Sequence, residues 1–401
     1  MATSHDTFDA IDWDEYTTAS RSVSWRTKLF SLVVTALLLG FLYDVFVLPD
    51  DNPIIWEWNV TMLDWLFMLS LSVFAFYVLA PLYLNRELTR ERWRQLRTNR
   101  VAVASLCYLV VFFVGGLFGP MVHEPLTNAI ASADDFAYGM APYQPPVGFS
   151  APYYGIGITH CVGDISNNAC HGSFVHPFGT TSSGEDLFLK ILQGMRIALQ
   201  VTLITATLIA PLATGVGIVA AYFGGSVDEA LMRYVDIQQA IPPLFVFLLL
   251  EALYGGSILL MIGVFGLLSW GSTARLVRSE ALQKRELGYI RAARNAGSSR
   301  LKIIRQHILP NVSSTVLVAI TLQIPMLLLI EAMLGYFQLH GPGQNSWGYL
   351  IYAAFLSDFH PTLLWWAEVI PVVFLMLTVA SFNFLGDALR EILDPRTREG
   401  L

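Results

Sequence analysis

The chain has 401 residues, 54% hydrophobic and 14% charged, with a mean hydropathy of +0.53. Soluble domains carry about a quarter charged residues, so this composition points to a bilayer rather than to a large soluble core. A net charge of −7 and a pI near 5.6 argue against nucleic acid as a partner.

The chain opens on a polar, acidic stretch (Asp6, Asp9, Asp12, Asp14, Glu15) before its first apolar run, so no cleavable signal is expected. A spanning helix needs about 20 mostly apolar residues. Eight segments meet or approach that length, at about 29–48, 62–84, 101–120, 195–223, 235–254, 257–274, 312–337 and 363–386. Several contain proline (Pro81, Pro211, Pro242, Pro243, Pro325, Pro371), which a bundle tolerates where neighbouring helices re-satisfy the freed backbone groups. Cys107, inside the third span, is expected to be a buried small apolar residue.

Lysine and arginine in short loops mark the inner side of a membrane. Arg86, Arg90, Arg92, Arg94, Arg97 and Arg100 lie between spans two and three, and Arg275, Arg278, Lys284 and Arg285 open the connection between six and seven. The link between spans one and two carries Asp50, Asp51 and Glu57 without a cation. The long segment from 121 to 190 is likewise acidic, with Lys190 as its single cation. Both basic loops therefore fall inside, and with an even number of spans both termini are expected in the cytoplasm. A multi-pass protein of the cell membrane follows, with the lipid bilayer as its medium.

The second basic loop contains "YIRAARNAGSSRLKIIRQHILPN", residues 289 to 311, with five cations and no acid. It reads as two short helices, Leu287 to Asn295 and Arg300 to Ile308, broken at Gly297 and recapped by Ser298 or Ser299. Pro310 is expected to set the entry into span seven. Helical spacing puts Leu301, Ile304 and Ile308 on one face. Such a helix suits lipid headgroups, a groove on a partner, or merely a positive-inside loop that fixes topology.

Ala292-Ala293, Gly297 and Leu309-Pro310 stand at the spacing of the "EAA" loop of ABC importer permeases, which this segment resembles. Arg291 replaces that motif's Glu, and His307 its Ile. "HPFGTTSSGEDLF" (176–188), "GMRIALQVTL", "AAYFGG", "LMRYVD", "ARLVR", "IEAMLGYFQLHGPGQNSWG" and "NFLGDALREILDPR" follow the dipeptide/oligopeptide branch of that family in order. Thr181 and Glu185 depart from its Asp and Arg. The likeness runs from about 96 to 398 and leaves spans one and two without a counterpart.

The resemblance implies an all-α polytopic membrane protein of the type I ABC importer class, with a six-helix permease core and two extra N-terminal helices. It divides the chain into an extension at 1–95, the first core helix with a long outer loop at 96–190, and a permease domain at 191–395. Within that domain, 275–311 would be the coupling loop. It implies a second homologous permease, two ATPase subunits and an extracellular binding protein as partners. The cargo would be di- or oligopeptides, with nickel or oligosaccharides as alternatives within the branch. No Gly-x-x-x-x-Gly-Lys-Ser/Thr occurs, so nucleotide hydrolysis would belong to a partner; no enzymatic role, cofactor or metal is expected for this chain.

Coupling to the ATPase falls to Ala292, Ala293, Ala296, Gly297, Leu301, Ile304, Leu309 and Pro310, the small alanines allowing close seating in a groove. Charged residues inside spans are functional candidates by default, and Glu331 and Glu251 are the ones to consider for the pathway or gate, with local hydrogen bonding as the plainer role. His176, Pro177, Gly179 and Thr180 form the outer-face motif. An ion-coupled secondary carrier would need broken helices or paired acids near mid-membrane, and none is evident. A membrane-embedded metal hydrolase would need intramembrane His and acid clusters, which are absent.

Cys161 and Cys170 both fall in the outer loop, where disulfides persist. Gly163, Asp164, Asn167 and Asn168 favour turns that bring them together. Zinc held with the flanking His160, His171 and His176, and free thiols, are the alternatives, though the spacing matches no recognised zinc site.

Overall fold

The computed structural model describes residues 25–47, 60–133, 141–152, 158, 160–341, 343–357 and 364–393, without the side chains of 120 and 122–133. The acidic stretch at 6–15, the loop acids Asp50, Asp51 and Glu57, and the end of the permease segment after 393 lie outside the described residues. The chain divides into two compact units, residues 1–81 and 82–401.

The first unit is a hairpin of α1 (Trp25–Phe46) and α2, whose helix runs Met62–Leu84. Thr61 starts α2 with a reciprocal cap: its hydroxyl accepts from Asp64 N, while the Asp64 carboxylate accepts from Thr61 N at 3.2 Å. The two helices meet closely because Gly40 has no side chain; a Cβ there would stand 2.7 Å from the Trp65 ring. Trp65 Nε1 donates to Asp44 Oδ2 at 2.8 Å, which gives that acid a fixed partner. A π turn at Ala75–Leu79 interrupts α2, and Arg26 donates to the Phe76 carbonyl within it.

The second unit begins with a short basic helix, α3 (Arg86–Leu96), followed by α4 (Arg100–Ala133). A three-stranded antiparallel sheet comes next, of β1 (Ser150–Pro152), β2 (Ile165–Ser166) and β3 (Ala169–His171) in the order β1-β3-β2. Among the described residues, nine helices complete the unit. They are α5 (Leu187–Phe223), α6 (Gly225–Ala240), α7 (Pro243–Tyr254), α8 (Ile258–Leu268), α9 (Gly271–Arg285), α10 (Gly288–Asn295), α11 (Arg300–Tyr336), α12 (Trp347–Phe355) and α13 (Trp365–Leu393).

α5 is the axle of the bundle. It packs against α4, α8, α9 and α11, and its stretch from 187 to 205 is buried almost all round. Lipid tails are as apolar as leucine, so helices in a membrane associate by close packing at small residues. Gly116 of α4 shows this, since a Cβ there would lie 3.0 Å from the Met195 carbonyl of α5. Gly217 does the same where α5 crosses α9, 2.6 Å from the Ala274 carbonyl.

The described residues hold seven helices long and apolar enough to span, and eight if the bent pair is counted as one span. Spans four and seven are longer than expected, starting at Leu187 and Arg300. The expected straight span at 235–254 is instead α6 and α7, bent by 63°. The cause is local: Pro242 and Pro243 supply no N–H, and Ile241 ahead of them is extended at φ −93°, ψ 112°. The pair is a broken or re-entrant segment where a straight span was expected. Cys107 also differs: it is exposed on α4 rather than buried.

Candidate functional site

The basic loop folds as a helix, a break and a second helix. α10 closes with Ala296 N bonded to Ala292 O, Gly297 N to Arg294 O and Ser298 N to Ala293 O. The last two are the paired bonds of a Schellman end, which requires a left-handed residue after the helix. Gly297 supplies it at φ +79°, and a Cβ there would touch nothing within 4 Å. Conformation alone explains this glycine. Ser299 then caps α11, its hydroxyl accepting from Lys302 N.

The inner side of this pair is anchored by Ile290, Ile303, Ile308 and Val312, all fully buried against Ile218, Ala221 and Tyr222 of α5 and Val277 and Ala281 of α9. The expected face of Leu301, Ile304 and Ile308 is corrected here. Leu301 is 75% exposed, Ile304 half-buried, and Ile303 takes the inward place. A π turn at Ile304–Ile308 causes the shift, because its wider turn changes the phase of every side chain around it. Pro310 stands in the first turn of the apolar stretch Leu309–Tyr336, as expected. It follows the π turn inside one helix that runs unbroken from Arg300 to Tyr336.

The outward side carries Ala292, Ala296, Gly297, Leu301, Leu309 and Pro310, all exposed, with Ala293 half-buried at its edge. Leu287 and Tyr289 are also exposed. Polar contacts fix the frame around them. Arg285 donates to the Ala221 and Tyr222 carbonyls at 2.8 and 3.3 Å, capping the end of α5. Arg291 pairs with Glu286 at 2.7 Å and holds that exposed carboxyl below its usual range. Arg294 lies 5.8 Å from the Tyr222 ring centroid and Arg300 5.7 Å from that of Phe223. Asn311 donates to the Tyr289 hydroxyl. Arg275 and Arg278 of α9 pair with Asp236 and Asp228 of α6, joining the bent segment to the same frame.

At the far end of α11, Glu331 is 2% exposed and its Oε1 has no hydrogen-bond partner among the described residues. The Ser346 hydroxyl is the polar group beside it. Ser346 also lies 2.9 Å from His340 Nε2, and both are buried. Burial lowers the His340 pKa below the ordinary histidine value, so the neutral ring is favoured. Glu251 is not part of this cluster. It sits half-buried near the end of α7, where its carbonyl accepts from Gly255 N at 2.7 Å.

The same end of the bundle holds the sheet and its loops. A disulfide joins Cys161 to Cys170, with Cα atoms 5.6 Å apart. It removes both sulfurs from any metal site, and among the described residues no group of three metal-ligating side chains occurs. His176 instead pairs through Nδ1 with Asp186 at 2.8 Å, and Asp186 caps α5 by accepting from Leu189 N. Thr180, fully buried, donates to the Ala141 carbonyl and accepts from Gln144 N. Gln144 in turn donates to the His160 carbonyl and accepts from Val162 N. Trp366 Nε1 of α13 donates to the Thr180 carbonyl at 3.0 Å. Gly179, at φ +79°, leaves room where a Cβ would stand 2.5 Å from the Gln144 carbonyl.

His176, Gly179 and Thr180 are therefore interior, with Pro177 half-buried beside them. They tie the cystine loop to α5 and α13 and present little to a partner. Gln144 is the residue that sequence reasoning missed. Apart from the Pro142 carbonyl two residues away, its partners are 16 to 36 positions distant, so no local pattern reports them.

A family profile described as the binding-protein-dependent transport system inner membrane component matches residues 213–399. One described as the N-terminal TM domain of oligopeptide transport permease C matches 87–146. The chain is 33% identical over 316 residues to the oligopeptide transport system permease protein OppC of Escherichia coli (strain K12), covering 78% of this chain and 93% of that protein. It is 30% identical over 319 residues to the dipeptide transport system permease protein DppC of Bacillus subtilis (strain 168), covering 77% and 86%. Identity to the oligopeptide transport system permease protein OppC of Haemophilus influenzae is 36% over 225 residues, 56% of this chain and 71% of that protein.

Proposed function

We propose that this chain, which belongs to the family of binding-protein-dependent transport system inner membrane components, is the permease subunit of an ATP-driven importer of di- or oligopeptides. The named relatives support the cargo, since those similar over most of their length are permeases of dipeptide and oligopeptide systems. A second permease would complete the pathway, a pair of ATPase subunits would drive it, and a binding protein would deliver peptide at the cystine end. The basic loop and both termini then lie in the cytoplasm, in keeping with its arginines.

One observation carries the coupling role. Ile290, Ile303 and Ile308 clamp the helix pair to α5 and α9, while Ala292, Ala296 and Leu301 are exposed on the side away from the bundle. A displaced ATPase surface seated on those residues would move α10 and the start of α11 together, and with them the spans they are anchored to. The residues before the family profiles, with α1 and α2, form an accessory module outside this machinery.

The test is co-purification and transport in reconstituted vesicles. Ala296→Trp and Leu301→Asp are expected to lose the ATPase subunits while the chain still inserts and binds the second permease. Retention of the ATPase in both variants would refute the assignment of the surface. ATP-dependent uptake of short peptides, against Ni²⁺ and oligosaccharides, decides the cargo; uptake of either of the latter in place of peptide overturns that part.

A further inference from the structure

α3 carries four arginines, with Arg97 following at its C-terminal end, and makes no contribution to the proposed coupling surface. Arg86, Arg90, Arg94 and Arg97 recur at three- and four-residue intervals, which places them within about 80° of one another around the helix axis. All four are exposed. Glu87 and Glu91 lie on the flank beyond Arg94, and Arg92, half-buried, points elsewhere. The helix is tied down off the stripe by Leu96, which is buried with Ala102 of α4 and Ala388 of α13 and packed by Leu106, Leu385 and Ile392. The stripe is thus held in a fixed position on the bundle.

That position is the edge of the apolar zone. α4 turns apolar at Val101, four residues past Arg97, and Leu96 rests on α13 close to where that helix ends at Leu393. Beside the stripe stands Trp93, 41% exposed, an amphipathic ring of the kind that settles at headgroup depth. Arg86 stacks over the Tyr83 ring at 4.7 Å, so a second aromatic flanks the row. A guanidinium presents a planar fork of donors that matches a phosphate bidentately.

We propose that the Arg86, Arg90, Arg94 and Arg97 stripe of α3, with Trp93, is a binding surface for the headgroups of anionic phospholipids. It holds the first helix of the permease core against one leaflet and makes that contact selective for acidic lipid. A row of arginines that served only to fix orientation would need the charges but not the common face.

Photo-crosslinking tests this with the full-length chain in phosphatidylcholine vesicles, using trace phosphatidylglycerol or phosphatidylcholine carrying a photoreactive headgroup. Adducts from the phosphatidylglycerol probe are expected on fragments covering 85–99. They should fall about fivefold or more in R90Q/R94Q, remain in R90K/R94K, and be unchanged in R92Q, which removes a charge off the stripe. Equal yields from the two probes, an unchanged yield in R90Q/R94Q, or an equal loss in R92Q would overturn the proposal.

Discussion

Gly194 of α5 lies flat against the indole of Trp347 of α12. A Cβ added at 194 would stand 2.3 Å from the ring, and Trp347 Nε1 donates to the carbonyl of Ile191 one turn earlier, at 3.2 Å. Phe112 of α4 and Phe374 of α13 flank the same ring, with centroids 6.2 and 6.3 Å away. Four helices therefore meet at one buried side chain. Gly194→Ala is expected to destabilise the protein by about 1–3 kcal/mol, the usual cost of overpacking. Thermal unfolding in detergent checks this, and an unchanged midpoint would show that the indole has room to shift.

Gly297→Val is expected to separate ATP hydrolysis from uptake. A β-branched residue at φ +79° costs on the order of 1–2 kcal/mol or more and favours straightening the break between α10 and α11. Gly297→Asn should retain most of the transport, because asparagine tolerates the left-handed region and the space is open. The readout is the ratio of peptide uptake to ATPase rate in vesicles. Equal ratios in Val and wild type would remove the role given to the break.

Thr180→Val should destabilise the cystine end by about 1–3 kcal/mol, because Gln144 N and the Ala141 carbonyl both lose a buried partner. Gln144→Leu alone should cost a similar amount, and the double variant less than the sum, since the two side chains share one network. Hydrogen exchange of residues 141–180 measures it. Simple additivity would show two independent contacts.

Loss of the Cys161–Cys170 bridge frees a nine-residue separation and is expected to cost about 2–3 kcal/mol locally. The double Cys→Ser variant should become sensitive to protease between 158 and 175, with the bundle intact. Mass spectrometry of unreduced, alkylated protein checks the bridge directly, through the linked peptide.

His340 gives the fold a pH dependence. Burial lowers its pKa in the folded state, so between that value and the unfolded value of about 6.5 the unfolded chain binds more proton. Its contribution is full above about pH 6.5 and is lost as pH falls through that value toward the folded pKa. Unfolding midpoints should drop between pH 7.5 and 5 in the wild type and drop less in His340→Gln. Parallel curves would assign the dependence to another group.

Length and apolar content alone make the spans legible, and short-range chemistry makes the break at Gly297 legible too. A glycine after a helical run followed by two serines has few other readings. The inward turn of Ile303 is not legible, because a π turn has no residue signature here and shifts the phase that a strict helical count assumes. The bend between α6 and α7 is hidden for a different reason. Averaged over twenty residues, Pro242 and Pro243 barely lower the apolar signal, yet they remove two adjacent donors. The buried state of His176 and Thr180 depends on Gln144 and Trp366, which approach from distant parts of the chain. A motif conveys which residues matter, and tertiary partners decide whether they face a neighbour or the interior.

The helix from Arg300 to Tyr336 is 37 residues long, about 56 Å at 1.5 Å per residue, against a hydrocarbon thickness of about 30 Å. It is thus a stiff rod with roughly half its length to spare, carrying Leu301 at one tip and Glu331 near the other. A tilt of about 5° around its midpoint swings each tip by about 2.4 Å, in opposite directions, with every backbone bond kept. A displacement at one membrane face would reach the other as leverage, without any chain of rearranging side chains between them. The wide turn and Pro310 lie near the tip that would be pushed and Pro325 lies toward the other, so the rod's compliance is placed at two points and not along its whole length.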